Sequence, residues 1–380
     1  MSFFKSSSTG ADPYFKRILG VIYFWASIIL AVYILVVSVY VPFIRIRNHD
    51  LFNFRTTIAL TSLHALLFSI LGWSFLRIRL TDPGSFLPPQ ALTTRDIRAL
   101  EDGTSNQPGS NEILTREFIK CNPDGTFKYC PTCQIYQPIR TSHCQNIGRC
   151  VAKFDHYCPI LSSAIGIRNY KYYINFLLWM AFMGIYLPFI DSIAISAGRT
   201  SALTILLLIW SSIGTFLIFP LFGFHVYAVL SNVTTKESSF CSGSPRFSRT
   251  PTKKTTWICV LIRDDPDKIW VVPIELDLGR SNPWKLSMWE NWTSVMGTHW
   301  WEWLFPVSPT TRMSNSSKWW VQEFNDATKE ELRKVARQRV AHVLSAEMRN
   351  AGVADTLDAE KSSTGSVSLD RPSQAHLRSQ

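Results

Sequence analysis

The sequence predicts an all-α multi-pass membrane protein with four transmembrane helices and a small cysteine-rich domain between the second and third helices. Four apolar runs support this fold class, at residues 18–41, 56–76, 173–195 and 203–230. Each run exceeds the roughly 20 residues that a helix needs to cross about 30 Å of hydrocarbon. Six of the eight cysteines fall within residues 121–158, which marks that segment as a separate unit.

The apolar runs are interpreted as membrane spans; the alternative is that they are buried helices of a soluble protein. Residues 18–41 contain no charged residue. This run is too long for a signal-peptide core and has no convincing small-residue cleavage site. Aromatic residues at the start of the third run, Tyr170, Tyr172 and Tyr173, suit a membrane interface. The first run is therefore expected to be a retained span.

The charges that flank the runs indicate which side of the membrane each loop occupies. Four spans place both termini and residues 77–172 on one side. The basic residues near the span ends on that side are Lys16, Arg17, Arg77, Arg79, Arg168, Lys171 and Lys236, and those on the other side are Arg45, Arg47, Arg55 and Arg199. Since lysine and arginine collect on the cytosolic side, the cysteine-rich loop is predicted to be cytosolic.

The compartment and the net charge restrict the class of protein. In a reducing compartment, tightly spaced cysteines are metal ligands or catalysts more often than disulfides. The formal net charge of +11 is spread over loops and tails. It indicates attraction to anionic lipid headgroups or a solubilising surface charge. The four predicted spans exclude a nucleic-acid-binding protein.

The predicted domain organisation follows from the runs and the composition between them. Within the C-terminal region, residues 257–262 and 269–274 are expected to pair as a hairpin. A helix is predicted over 318–349, either lying on the membrane surface or docked on the tail. The units are a cytosolic N-terminus 1–17, helices 1 and 2 in 18–79, a linker 80–120, the cysteine-rich domain 121–170, helices 3 and 4 in 171–230, a C-terminal region 231–353 and a disordered tail 354–380.

Four residues of the cysteine-rich domain have the spacing of a zinc site. Cys130 and Cys133 form a CxxC pair, which is a weak signal by itself. His143 and Cys150 follow it within twenty residues. Together they supply the Cys₃His set that tetrahedral zinc accepts. The sequence therefore predicts a zinc-bearing domain.

A second group, Asp155, His156 and Cys158, contains the residue types of a catalytic triad, although an isolated run of this kind is usually incidental. A thiolate is the reactive form of cysteine, and an unperturbed thiol of pKa about 8.5 is only a few per cent ionised at pH 7. His156 can accept the thiol proton while Asp155 holds the imidazole. The alternative is that Cys158 is itself a zinc ligand in a structural finger, but the four ligands above already complete a site.

The run from His143 to Cys158 resembles the cysteine-rich domain of the DHHC protein S-acyltransferases, in the DHYC form of a fungal subset. Shorter motifs of the family recur in the same order over residues 18–297, and we expect them to be structural. They include the DPG motif, the TTxE motif and the tail asparagines, at Asp82, Pro83, Gly84, Thr234, Thr235, Glu237, Asn282 and Asn291.

The resemblance also shows where this chain departs from the family. Members hold two interleaved zinc sites, and the residues above match the first. The positions of the second site are Cys144, Ile147, Tyr157 and Ala164, of which only the cysteine is a usual ligand. We therefore predict one zinc, with Ile147 and Ala164 packing where a metal would be. The tryptophan that usually follows the motif proline is also absent after Pro159.

The resemblance implies a protein S-palmitoyltransferase. Cys158 would take an acyl group from acyl-CoA and pass it to cysteine thiols of substrate proteins, near the cytosolic face of an endomembrane or the plasma membrane. The acyl chain would lie among the spans, where each methylene is worth about 0.8 kcal/mol. The alternative is an inactive homologue that serves as a membrane adaptor. A transporter is disfavoured because no pair of Gly/Pro-interrupted helices occurs.

The remaining polar residues of interest are given structural interpretations. His64 and His225 lie in apolar runs and are expected to be packing or cavity residues. Asp191 is expected to be solvated near the lumenal edge. Cys241 and Cys259 are interpreted as surface or packing cysteines, with acylation as the alternative.

Overall fold

Three long apolar helices organise the structure, which is a computed structural model. It describes residues 54–86, 116–196, 202–238, 255–265, 268–278, 282–310 and 324–361. The helices are numbered α1 (Phe54–Leu80), α2 (Tyr170–Ser196), α3 (Ala202–Leu230), α4 (Met288–Met296), α5 (Trp300–Leu304) and α6 (Asp326–Lys361). The segments long and apolar enough to cross a membrane are Phe54–Leu80, Tyr170–Ile193 and Thr204–Leu230. These match three of the predicted runs; the fourth, residues 18–41, lies outside the described residues.

The three apolar helices pack through α2. Leu67, Met183, Tyr186 and Ile190 form a buried cluster between α1 and α2. His64 is buried beside this cluster with its ring 5.5 Å from that of Tyr186, which confirms the packing position expected for it. Large apolar side chains on the outer surface of α3 remain exposed, as a lipid-facing surface requires, among them Trp210, Phe216 and Leu217.

The described residues also contain ten β-strands, so the prediction of a purely α-helical fold is wrong. The strands are β1 (Ser85–Phe86), β2 (Phe118–Cys121), β3 (Tyr129–Cys130), β4 (Ile135–Tyr136), β5 (Ser142–Cys144), β6 (Arg149–Val151), β7 (His156–Cys158), β8 (Ser163–Ile165), β9 (Thr255–Asp265) and β10 (Lys268–Asp277). Most are two or three residues long, too short to show the alternation of polar and apolar residues that identifies a strand in a sequence.

The strands form four small antiparallel sheets. β1, β6 and β5 form one, and β10, β9 and β2 another, while β3 pairs with β4 and β7 with β8. The β9–β10 pairing, with Trp257 opposite Glu275, confirms the predicted hairpin. Strand β2 adds to this hairpin with Ile119 opposite Cys259, so the C-terminal region and the cysteine-rich domain share one sheet. Cys259 is fully buried there, in agreement with a packing role.

Helix α6 docks on the β9–β10 hairpin. Leu332, Ala336 and Val340 are buried against it, as docking on the tail requires. Arg333 adds a two-point ion pair with Glu117, at 2.6 and 2.9 Å. The helix starts at Asp326 rather than at residue 318 and continues to Lys361, into the stretch expected to be disordered.

The segment around α4 and α5 attaches the C-terminal region to α2. The Ser287 hydroxyl accepts from the Glu290 amide and so caps α4. Three side chains of α2 hold the end of α5 and the chain that follows it. Asn175, Trp179 and Lys171 donate to the carbonyls of Trp303, Leu304 and Val307 at 2.6, 2.7 and 2.8 Å.

The DPG motif forms the corner between α1 and the cysteine-rich domain. Helix α1 ends at Leu80, before Pro83, as the backbone preference of residues preceding proline favours. The Asp82 carboxylate accepts from the amides of Gly84 and Ser85 at 2.8 and 2.7 Å. Gly84 has φ of 95°, a conformation that glycine adopts readily. This corner places β1 beside β6.

The same corner leaves no space beside Gly166. A Cβ atom there would lie closer than 3.0 Å to the Pro83 carbonyl oxygen and to Val151 Cγ1. We therefore expect Gly166→Ala to destabilise the protein by about 1–3 kcal/mol, as overpacking usually does. Thermal unfolding of the detergent-solubilised protein measures this. Gly72→Ala is the control, since nothing lies within 4 Å of its Cβ. Equal midpoints for the two variants would contradict the packing described.

Candidate active site and metal centre

The four predicted zinc ligands come together in the structure. Cys130, Cys133, His143 and Cys150 place their ligand atoms within 4.8 Å of one another. The β3–β4 turn presents the two cysteines of the CxxC pair, and the β5–β6 ladder places His143 opposite Cys150. The sulfur atoms of Cys133, Cys130 and Cys150 lie 3.3, 3.5 and 3.9 Å from His143 Nδ1.

These residues fit zinc in geometry and in surroundings. Around a tetrahedral zinc with Zn–S bonds of about 2.3 Å and a Zn–N bond of about 2.0 Å, sulfur and nitrogen lie about 3.5 Å apart, close to the separations found. The amide of Cys150 donates to Cys133 Sγ at 3.2 Å, and Gln137 Nε2 approaches Cys150 Sγ at 3.6 Å. Donors of this kind stabilise thiolate ligands. The cluster can therefore hold one zinc ion, with all four positions filled by protein.

The positions that the resemblance assigns to a second zinc site lie in an apolar cluster. Cys144, Val151 and Ala164 form a buried cluster against which Ile147 and Tyr157 pack. Tyr157 faces Ala164 across the β7–β8 ladder. Within the described ranges, the Cys₃His cluster is the only group found that could hold a metal.

The triad residues lie together on and beside β7. His156 Nδ1 donates to Asp155 Oδ2 at 2.7 Å, and the side chain of Asp155 is 2% exposed. Burial lowers the pKa of His156, but hydrogen bonds to Asp155 and Cys158, together with their negative charge, raise its pKa to about 9. Burial raises the pKa of Asp155, but the hydrogen bond from His156 and its charge hold it below its ordinary value. The imidazole is therefore well suited to accept a proton.

The TTxE motif holds the carboxylate of Asp155 from the other side. The Thr235 amide donates to Asp155 Oδ1 at 2.8 Å. The Thr235 hydroxyl lies 2.8 Å from the backbone carbonyl of Asp155 and 3.1 Å from Oδ2. A carboxylate buried at this depth requires such donors, because an unpaired buried charge costs several kcal/mol.

Residues 124–241 match the sequence profile of the DHHC palmitoyltransferase family. This segment is therefore a DHHC-type domain. It is 33% identical over 194 residues to the mouse palmitoyltransferase ZDHHC18, a match that covers 48% of this chain and 50% of the mouse protein. It is 26% identical over 310 residues to the palmitoyltransferase PFA3 of Candida albicans, covering 76% of this chain and 78% of the yeast protein. The chain thus spans about half the length of ZDHHC18.

The remaining DHHC-family motif residues hold the C-terminal region against the end of α3. A helix leaves its last four carbonyl groups without partners inside the helix. The Asn291 amide donates to the carbonyl of Leu230 at 2.8 Å, and the Asn282 amide donates to that of Ser231. Thr234 accepts from the amide of Glu237 at 3.2 Å. These contacts support a structural role for the motif residues.

Arg140 is part of the site, but our sequence analysis did not identify it. Its guanidinium makes a two-point ion pair with Glu237, at 2.8 and 2.6 Å, and donates to Asn232. It also lies 4.6 Å from the ring centre of Trp284. Arg140 follows Pro138 in a short polar turn of the DHHC domain, and nothing in its local sequence marks it as a partner of the TTxE glutamate.

His225 is buried, as expected for a packing residue, but it packs beside the candidate base. Tyr170 and His225 are hydrogen-bonded through Oη and Nδ1 at 3.0 Å, and the His225 ring lies 5.9 Å from that of His156. Asp191, in contrast, is buried rather than solvated, with Ser211 donating to it at 3.4 Å. Cys241 lies outside the described residues.

Metal analysis tests the single-zinc prediction. We expect one zinc per chain by elemental analysis of the purified protein. Cys133→Ala should remove the metal and inactivate the protein, because structural zinc binding is coupled to folding. Cys144→Ala should keep it, since Cys144 lies in the apolar cluster. A content of two zinc ions, or loss of zinc in Cys144→Ala, would contradict the prediction.

The contact between Thr235 and Asp155 predicts the reactivity of Cys158. In Thr235→Val the carboxylate loses the hydroxyl that helps to fix its orientation, so Asp155 holds the imidazole of His156 less firmly beside Cys158. We expect iodoacetamide to alkylate Cys158 about tenfold more slowly at pH 7, because a displaced base loses efficiency. Mass spectrometry of the peptide that contains Cys158 measures the rate. Thr235→Ser should react like the unmodified protein; equal slowing in both variants would exclude the hydroxyl as the cause.

Proposed function

We propose that this chain is a protein S-palmitoyltransferase that moves an acyl group from acyl-CoA to cysteine thiols of substrate proteins. The observation that supports this most directly is the contact of Asp155, His156 and Cys158 at one end of the spanning helices. His156 is held by Asp155 at 2.7 Å and is hydrogen-bonded to Cys158. A nucleophile, a base and a group that orients the base are thus adjacent.

The first half-reaction forms the acyl-enzyme. With Nδ1 bonded to Asp155, the other ring nitrogen of His156 accepts the thiol proton of Cys158. The thiolate attacks the thioester carbonyl carbon of acyl-CoA, forming a new S–C bond as the bond to the CoA sulfur breaks. The departing CoA thiolate then takes the proton from His156. The raised pKa of His156 favours the first of these proton transfers.

The second half-reaction repeats the chemistry with a different thiol. A cysteine of the substrate protein gives its proton to His156 and attacks the acyl-enzyme carbonyl. The bond to Cys158 breaks, and the thiolate of Cys158 recovers the proton from the imidazole. The substrate cysteine must lie near the membrane, because Cys158 itself packs against the apolar cluster at the ends of the spans.

The place of Cys158 also suits an acyl chain. The cluster against which it packs includes Ile78 of α1, Leu161, and Tyr173 of α2. A chain that continues from this point among the spans stays out of water, at about 0.8 kcal/mol for each methylene. We propose that residues 18–41 form a fourth span and that the DHHC domain faces the cytosol, as the distribution of lysine and arginine predicts.

Zinc, in this proposal, shapes the domain and does not contact the substrate. When bound by Cys130, Cys133, His143 and Cys150, it would have no open position for a reactant. The alternative function, an inactive adaptor, has no specific support, because the nucleophile, the base and the carboxylate are all present and in contact.

Acylation of the purified full-length protein tests the proposal. Incubation with labelled palmitoyl-CoA should give a label on the enzyme that hydroxylamine releases. Cys158→Ser should abolish the label while the protein still folds and inserts into membranes. If Cys158→Ser is labelled like the unmodified protein, another cysteine is the nucleophile.

Substitutions at His156 and Tyr157 distinguish the proposed base from the tyrosine beside it. His156→Ala should lose activity by about 10²-fold or more, the usual contribution of a general base. Tyr157→Phe should keep most of it, because burial raises the pKa of Tyr157 above its already high value and makes it a poor base. Rates of enzyme acylation at pH 7 measure both. Comparable losses in the two variants would make the tyrosine hydroxyl part of the reaction.

A further inference from the structure

Two of the apolar helices bring aromatic side chains against the imidazole of His156. Tyr170 and Tyr173 lie in the first turn of α2, and His225 lies near the end of α3. The rings of Tyr173 and His225 lie 5.3 and 5.9 Å from the ring of His156. His225 is 1% exposed. A packing role alone does not explain a buried histidine beside the candidate base.

We infer that His225 is a positioning residue for the acyl transfer proposed above, because with Tyr173 it restricts the imidazole of His156 to the orientation that faces Cys158. This inference rests on the proposed function and assigns it a further residue. His225 does not touch the reacting atoms in this account; it acts through His156.

One hydrogen bond to Asp155 does not by itself fix a histidine ring. The terminal torsion of histidine is broad, so a single hydrogen bond leaves the ring able to turn about its Cβ–Cγ bond. Tyr173 meets His156 at an interplanar angle of 67°, and His225 lies at 40° to it. Because both rings pack against the imidazole of His156, they resist its rotation. The ring nitrogen that is not bonded to Asp155 is then kept on the side of Cys158.

The position of His225 is itself fixed by specific contacts. Its Nδ1 lies 3.0 Å from the hydroxyl of Tyr170, and its ring meets that of Tyr173 edge to face at 4.9 Å and 86°. The rings of Tyr170 and Tyr173 are in turn stacked at 19°. Buried polar groups require partners, and the bond to Tyr170 determines which way the imidazole points. A phenylalanine would fill the space but would lack this hydrogen bond.

The arrangement couples the base to the packing of the spans. Tyr170 and Tyr173 belong to α2, whereas His225 belongs to α3 and His156 to the β7 strand. The geometry of the base therefore depends on how α2 and α3 meet. The hydroxyl of Tyr170 is the contact between these two helices that fixes the orientation of His225.

The test compares His225→Phe, His225→Asn and Tyr170→Phe in the full-length protein. We expect His225→Phe to lower the single-turnover rate of enzyme acylation by about tenfold, with the KM for palmitoyl-CoA within about twofold. Asparagine can replace Nδ1 as a partner of Tyr170, so His225→Asn should recover part of the rate. Tyr170→Phe should resemble His225→Phe, and the double variant should be no worse than either.

The control is His64→Phe. His64 is also a buried histidine of an apolar helix that packs on a tyrosine, Tyr186, so the substitution has a similar structural cost. We expect its acylation rate to stay within about twofold of the unmodified protein. If His225→Phe does not fold, Tyr170→Phe, which removes a single hydroxyl group, still decides the question.

Alkylation of Cys158 by iodoacetamide at pH 7 gives a readout that needs no acyl-CoA. His225→Phe should slow it about tenfold. If the unmodified protein is not acylated but His225→Phe still slows alkylation, the proposed function is wrong and the positioning role stands. Unchanged rates in both assays would overturn the positioning role. A raised KM at an unchanged rate would do the same, and would place His225 in the acyl-CoA pocket.

Discussion

The buried carboxylate of Asp155 is the interaction on which the rest of the site depends. A charge at this depth is tolerated only when hydrogen-bond donors surround it. Its donors come from two distant parts of the chain, His156 beside it and Thr235 after α3. The chain after α3 must therefore fold onto the cysteine-rich domain before the carboxylate is satisfied. The same contacts orient the imidazole of His156. The stability of the fold and the proposed chemistry therefore require the same arrangement of Asp155, His156 and Thr235.

The β5–β6 ladder separates the candidate zinc site from an apolar cluster. Neighbouring residues of a strand point to opposite faces. His143 and Cys150 belong to the candidate metal cluster on one side, whereas Cys144 and Val151 join the apolar cluster on the other. Apolar packing is non-directional and needs only matched shape, so Ile147, Tyr157 and Ala164 can support that face of the ladder without a metal.

Several further contacts tie this domain to the ends of the apolar helices. Arg140 pairs with Glu237, and Asn291 bonds to the end of α3. Strand β2 extends the C-terminal hairpin, on which α6 packs. The candidate nucleophile is thus carried by a short hairpin whose position depends on elements before and after it in the chain. Rigid support of this kind is what a precisely placed proton acceptor requires.

The sequence by itself determined the features that depend on local composition and spacing. The apolar runs predicted three helices that the structure contains. Spacing, together with the family resemblance, pointed to the four candidate ligands and to the triad, and the structure brings the members of each group together. Only the tertiary structure revealed the short strands, Arg140 and the place of His225. Strands of two or three residues are fixed by pairing with distant partners and have no periodicity of their own. A histidine in an apolar run likewise looks the same whether it packs or positions a base, because its role depends on which helix and which hairpin it meets.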